Sequence, residues 1–262
     1  MAHVETLPLL LKQLALPAML MHWQEQEMLS QERQDRPARF LANLAELEAN
    51  RRYARRIAAY AKEARLPPAK TLATFDFASA PCVNYQQILA LCENTSWVKQ
   101  ASNVLFFGPS GVGKTHLAAA IAYRMIEQGI RCLFTSTTDI VQKMQAAKQQ
   151  FKLPDMLARL ARYPLIILDD IGYAKKDETE TSVLFELIAQ RYENHSLIIT
   201  ANQPFSEWHT IFPDNMMAVA AVDRLIHHAT VITLTPLGKK SFRQIASEKN
   251  NLHLHQELKS KP

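Results

Sequence analysis

Residues 108–115 constrain this chain more than any other stretch. They read Gly108-Pro109-Ser110-Gly111-Val112-Gly113-Lys114-Thr115, directly after the apolar run at 104–107 and directly before an amphipathic stretch at 116–128. Three of the chain's six glycines fall within these eight positions. An apolar strand, a glycine-rich loop and a helix in that order make a phosphate cradle. The glycines let successive backbone N–H groups turn toward one anion, and the helix N-terminus adds its positive dipole end. In such a loop Lys114 reaches the β- and γ-phosphates of ATP and the Thr115 hydroxyl ligates Mg²⁺. The plainer reading, a glycine-rich turn that merely starts a helix, does not account for the strand placed immediately before it.

Beyond the loop, short apolar runs alternate with amphipathic segments. The runs lie at 103–107, 131–135, 165–168, 197–200 and 231–234, and the segments at 116–128, 139–149 and 178–193. Runs without polar alternation suit strands buried on both faces, joined by crossover helices, so the core is expected to be α/β with a parallel sheet flanked by helices. The run at 165–168 ends in Asp169-Asp170, about 55 residues past the loop, as a Walker B strand does. Asp169 is expected to hold Mg²⁺, and Asp170 to orient and deprotonate an attacking water. Asn202 follows the run at 197–200 and precedes Gln-Pro. It is read either as a turn former or as a polar side chain delivered to the carboxyl edge of the sheet, where open α/β folds bind ligands.

Residues 1–68 read as an all-α domain with an apolar face at Phe40, Leu44, Leu47, Ala54, Ala58 and Ala61, closed by Leu66-Pro67-Pro68. The expected core is 69–236, and 237–262 is expected to be a basic tail. The net charge of +5 sits at the ends: residues 1–70 hold eleven Lys/Arg against eight Asp/Glu, and 237–262 hold six against two. Basic ends on a near-neutral core suit contact with a polyanion. Arg51, Arg52, Arg55 and Arg56 crowd one side of a helix and are the expected contacts to duplex DNA phosphates, with little sequence specificity. A solvated helix face is the alternative. Tyr53 and Tyr60, interleaved with these arginines, are assigned to packing at the core edge rather than to base stacking. Cys82, Cys92 and Cys132 form no metal-ligand or disulfide pattern and fit a reducing cytoplasm, and no apolar run is long enough to span a membrane.

Five blocks together resemble the IstB family of AAA+ ATPases. They are Gly108 to Thr115, Leu168-Asp169-Asp170-Ile171-Gly172-Tyr173, the stretch 184–193, Ile198-Ile199-Thr200-Ala201-Asn202-Gln203-Pro204, and Ala221-Val222-Asp223-Arg224-Leu225-Ile226-His227-His228-Ala229. The resemblance covers roughly residues 40–243, and the family is related to the DnaC helicase loader and the initiator DnaA. It implies Lys114 and Thr115 as Walker A, Asp169 and Asp170 as Walker B, Asn202 as sensor 1, and Arg224 as an arginine finger acting on a neighbouring subunit's ATP. It further implies an ATPase that forms homo-oligomers on DNA and acts with an IstA-like transposase in insertion-sequence transposition. A helicase loader is the alternative from the same fold. The family often has Asp-Glu where this chain has Asp169-Asp170. Only 28 residues follow Leu234, so a reduced or absent helical lid is expected, with Arg243 a weak counterpart of the sensor 2 arginine. His227 and His228 are read as structural or surface residues, and Phe75-Asp76-Phe77 either as part of a base pocket or as core.

Overall fold

Prolines mark the starts of the first three helices: α1 (Leu7–Gln13) carries Pro8 in its first turn, and α2 (Pro17–Glu32) and α3 (Pro37–Ala64) begin on one. A first-turn proline lacks only an N–H that would have no intrahelical partner. The computed structural model describes residues 4–171, 178–204, 207–208 and 215–235, and the chain divides into two compact units, Met1–Ala59 and Tyr60–Pro262.

In the first unit Leu11, Ala18 and Leu44 are buried. Glu48, 4% exposed, accepts hydrogen bonds from Ala18 N at 2.8 Å and Arg52 Nε at 3.1 Å, so a carboxylate of α3 caps the start of α2. Burial pushes the Glu48 carboxyl up, but the Ala18 and Met19 amides and Arg52 together hold it below its ordinary value. The apolar face expected along α3 is only half present. Leu44 is buried, whereas Ala54, Ala58 and Ala61 are exposed. Alanine is the strongest helix former, and spaced alanines record propensity as readily as burial. Tyr53 is also exposed rather than packed in a core, with the Arg56 guanidinium 5.2 Å from its ring centre. α3 ends at Ala64, where Arg65 turns left-handed ahead of the two prolines.

The second unit adds α4 (Tyr85–Glu93), α5 (Ser96–Lys99), β1 (Asn103–Phe107), α6 (Lys114–Glu127), β2 (Cys132–Ser136), α7 (Thr137–Gln149), α8 (Leu153–Leu160), β3 (Leu165–Ile171), α9 (Glu178–Arg191), β4 (Ser196–Ala201), α10 (Asn215–Ile226) and β5 (Ala229–Thr233). Among the described residues all four strand pairings are parallel, in the order β2-β3-β4-β1-β5. Successive residues of β1 and β4 are all buried, as expected for strands covered on both sides. Leu105, Phe107, Ile166, Leu168, Leu197 and Ile199 pack with α7, α8, α9 and α10 in one cluster. The buried alanines of α6, Ala118 to Ala120 and Ala122, let that helix approach β3 and β4 closely. Helices α4, α5, α8 and α10 were not among the elements expected from periodicity. α4 and α8 are under three turns long, and α10 is apolar on several sides, which leaves little period to detect.

Two polar devices hold the amino edge of this sheet. Arg191, 2% exposed, donates to the carbonyls of Tyr163, Pro164 and Ser196 at 3.0, 3.1 and 2.7 Å, and burial pulls its pKa down to about 9. Asn103 donates from Nδ2 to Leu225 O at 3.0 Å and accepts from Leu197 N at 2.9 Å, tying the end of α10 to the start of β1. Among the described residues no helix is long and apolar enough to cross a membrane. The tail at 237–262, Arg243 and any lid lie outside the described residues.

Candidate nucleotide-binding site

The strand order places the chemistry. β1 lies between β4 and β5, and β3 is next to β4, so the loop after β1, the end of β3 and the residue after β4 emerge side by side at one carboxyl edge. Gly108 opens the loop at φ 142°, and a Cβ there would lie 2.1 Å from the Leu234 carbonyl oxygen. That oxygen belongs to the residue whose N–H bonds Phe107 O at 2.7 Å, so the clash would be with anchored backbone. Gly113, at φ 97°, precedes α6, and its Cβ would meet the Phe75 ring at 2.7 Å. Phe75 stands edge-on to Phe77 and His116, which places the 75–77 segment against the outside of the loop.

Lys114, 6% exposed, donates from Nζ to Gly108 O at 2.7 Å, Pro109 O at 2.8 Å and Asn202 Oδ1 at 2.7 Å. The ammonium fixes which end of the Asn202 amide faces it, so Nδ2 points the other way and donates to Asp170 Oδ1 at 2.9 Å. Lys114, Asn202 and Asp170, 88 and 32 residues apart in pairs, are thus one hydrogen-bonded chain. Of the two readings of Asn202, this is the placement of a polar side chain at the sheet edge.

Asp169 and Asp170 sit in an irregularity of the β3–β4 ladder. Leu168 pairs with Ile199 and Ile171 with Ala201, so two residues of β3 face Thr200 alone. Asp170 takes a left-handed backbone, φ 62°. In a regular strand neighbouring side chains point to opposite faces; the extra residue re-aims one of them. The Asp170 N–H donates to Thr200 Oγ1 at 2.8 Å, and that hydroxyl donates to Asp169 Oδ1 at 2.6 Å. Thr137 Oγ1 donates to the Asp169 carbonyl at 3.1 Å. Neither threonine was singled out by pattern reading, although Thr200 stands two residues before Asn202, the strand period that gives one face. Thr115 is half-buried in the first turn of α6. A hydroxyl and a carboxylate are hard oxygen donors of the type Mg²⁺ takes, so the residues present fit that ion.

Arg224 does not join this group. Its Nη1 donates to Ala220 O at 2.9 Å and its guanidinium lies 5.2 Å from the Phe185 ring centre. It is next to Leu225, whose carbonyl is bonded by the first residue of β1, whereas the loop follows the last. Five strand residues at about 3.3 Å each separate the two edges by roughly 15 Å. His227 and His228 are exposed, with ring centres 4.1 Å apart and planes tilted by 48°, and His227 Nδ1 is 2.9 Å from the Tyr192 hydroxyl. Arg51, Arg52, Arg55 and Arg56 are all exposed on α3, and Arg52 also donates to Ala15 O at 3.1 Å.

The sequence profile of the family described as IstB-like ATP binding protein matches residues 9–250. A Sinorhizobium fredii protein whose name gives it as an insertion-sequence ATP-binding protein is 52% identical over 75% of this chain and 66% of its own length. The corresponding proteins of insertion sequence IS5376 in Geobacillus stearothermophilus and IS21 in Pseudomonas aeruginosa are 36% and 37% identical, over 84% and 74% of this chain and 88% and 73% of theirs. Among solved structures, AMPPCP-bound DnaA from Aquifex aeolicus aligns with a TM-score of 0.55 at 19% identity, covering 71% of this chain and 55% of that one. The DnaC helicase loader aligns at 0.50 and 22%, covering 57% and 86%. These likenesses are of fold: an AAA+ type α/β core.

Proposed function

The chain belongs to the family of IstB-like ATP-binding proteins of insertion sequences, and from that premise we propose that it is a Mg²⁺-dependent ATPase that assembles on duplex DNA and engages a transposase. The observation that carries the proposal is the Lys114–Asn202–Asp170 chain beside the glycine loop, with Arg224 on the opposite edge. Loop N–H groups and Lys114 bind the phosphates; Thr115 and Asp169 would hold Mg²⁺, which when bound would neutralise charge on them. Asp170 takes the proton of a water attacking the γ-phosphorus, the bond to the bridging oxygen breaks, and ADP and phosphate leave. Asn202 orients that water. Arg224, too far from its own chain's loop, stabilises charge on the γ-phosphoryl of a neighbouring subunit. ATP therefore favours the oligomer by ordinary linkage, since a nucleotide held by two subunits stabilises their contact.

Exposed Arg51, Arg55 and Arg56 supply phosphate contacts without base readout. The likeness to the DnaC helicase loader, being of fold alone, does not favour a helicase partner. Light scattering during titration with a nonhydrolysable ATP analogue, with and without duplex DNA, tests the proposal. Particle mass should rise with analogue and further with DNA for the natural chain, and stay constant for Lys114→Ala. A natural chain whose mass never changes would refute assembly by ATP.

A further inference from the structure

We infer that Thr200 is a positioning residue for hydrolysis: one hydroxyl holds both the metal-binding carboxylate of Asp169 and the backbone that presents Asp170. The inference rests on the nucleotide-site reading above and deepens it.

The bulge creates the need. Because two residues of β3 face one of β4, regular ladder pairing stops between Leu168 and Ile171, and the Asp170 N–H must find another acceptor. Thr200, 1% exposed, provides it at 2.8 Å, in a place where water does not reach its side chain freely. A hydroxyl has one proton, and an N–H occupying a lone pair leaves that proton free to be given elsewhere. It goes to Asp169 Oδ1 at 2.6 Å, a charge-assisted bond. Accepting from Asp170 and donating to Asp169 polarise each other in the same sense, so each bond strengthens the other.

Two consequences follow. Asp169 is held through Oδ1, so its carboxylate plane is set before a cation arrives. Asp170, a non-glycine residue at φ 62°, keeps a backbone conformation that L-residues seldom adopt, and the Thr200 bond helps retain it. Its side chain then meets Asn202 Nδ2, the contact that joins it to Lys114. Valine would keep the shape and remove the hydroxyl, leaving the Asp170 amide without this acceptor and the Asp169 carboxylate free to rotate. Serine would keep the hydroxyl.

The test compares the natural chain, Thr200→Val and Thr200→Ser. A fluorescent nonhydrolysable ATP analogue is titrated in EDTA and in Mg²⁺, hydrolysis is followed under single turnover, and hydrogen exchange is read at the Asp170 amide. Thr200→Val should bind the analogue in EDTA within threefold of the natural chain. It should lose about tenfold of the Mg²⁺-dependent gain in affinity, hydrolyse at least tenfold more slowly, and exchange the Asp170 amide at least tenfold faster. In an Asp169→Asn background, Thr200→Val should leave the Mg²⁺ response unchanged, because its effect on the ion passes through Asp169. Thr200→Ser should stay within threefold on every readout. A Thr200→Val chain with the natural Mg²⁺ gain and rate would overturn the inference. Should Thr200→Val not fold, Thr200→Ser decides: retention supports the role, and a tenfold loss with the hydroxyl present overturns it. If the natural chain itself shows no Mg²⁺-dependent nucleotide binding, the nucleotide-site reading is what has failed.

Discussion

At Gly108 and Gly113 the requirement for glycine has different physical content. A methyl group at 108 would run into the Leu234 carbonyl at 2.1 Å, and that carbonyl belongs to backbone bonded to β1. At 113 it would meet the Phe75 ring edge at 2.7 Å, which can swing away, although φ 97° still disfavours any side chain. Gly108→Ala is therefore expected to cost about 2–3 kcal/mol, and Gly113→Ala less. Urea unfolding of both variants measures this, and equal losses would mean that the ring is as immovable as the backbone. The three thiols differ in a similar way. Burial pushes Cys92 up to about 11 and raises Cys132 as well, whereas Cys82 is exposed. One thiol per chain should react quickly with a thiol reagent in the native state, and three after unfolding.

Among the elements, the last turn of α3 is anchored within the second unit. Arg131 donates to both Glu63 carboxylate oxygens, at 2.8 and 2.5 Å, Tyr163 donates to one of them at 2.5 Å, and the Arg131 guanidinium lies over the Tyr163 ring. The Arg131 hydrogen bonds, with help from Tyr163, hold the Glu63 carboxyl below its ordinary 4.5 despite burial. A lowered carboxyl binds its proton less readily in the folded chain than in the unfolded one. Its contribution is thus complete above about pH 4.5 and is lost as pH falls through the depressed value. With Glu63 about one third exposed, screening limits the contribution to about 1 kcal/mol. Denaturant midpoints of the natural chain and Glu63→Gln from pH 7 to 3 should keep a constant gap down to about pH 5 and converge below it. A gap that persists at pH 3 would assign the effect to packing.

These same elements show what pattern could and could not reveal. β1 was legible to the residue because buried parallel strands are continuous apolar runs with abrupt ends. The Glu63–Arg131–Tyr163 cluster was not, since its members lie 68 and 100 residues from Glu63 and carry no periodic mark. The alanines of α3 misled because the residue that best forms a helix is also weakly apolar.

For the whole molecule, the separation of Arg224 from the loop makes an experiment on mixed subunits informative. Arg224→Ala should bind ATP within threefold of the natural chain and hydrolyse it at least about 10²-fold more slowly. Mixing it with Lys114→Ala should restore activity, one subunit supplying the intact loop and the other the arginine. An inactive mixture would argue against action between subunits. The basic helix face calls for a different measurement. Arg52 is tied to Glu48 and Ala15 O, so replacing it alters the first unit itself. Arg51→Ala, Arg55→Ala and Arg56→Ala combined should weaken duplex binding for every sequence and flatten the slope of log K against log salt by about 2–3. An unchanged slope would remove these residues from the interface.

Local chemistry determined a good deal by itself: a glycine loop between strand and helix, a buried apolar run followed by two aspartates, and a parallel α/β core. Each depends on neighbours in sequence, where backbone geometry and periodic burial leave a readable trace. Only the tertiary structure decided that Asn202 joins Lys114 to Asp170, that Thr200 serves both aspartates across a bulge, and that Arg224 lies at the far edge from its own loop. Those relations depend on strand order and on one extra residue in a ladder. Both are set by packing between segments distant in the chain, so neither leaves a period in the sequence.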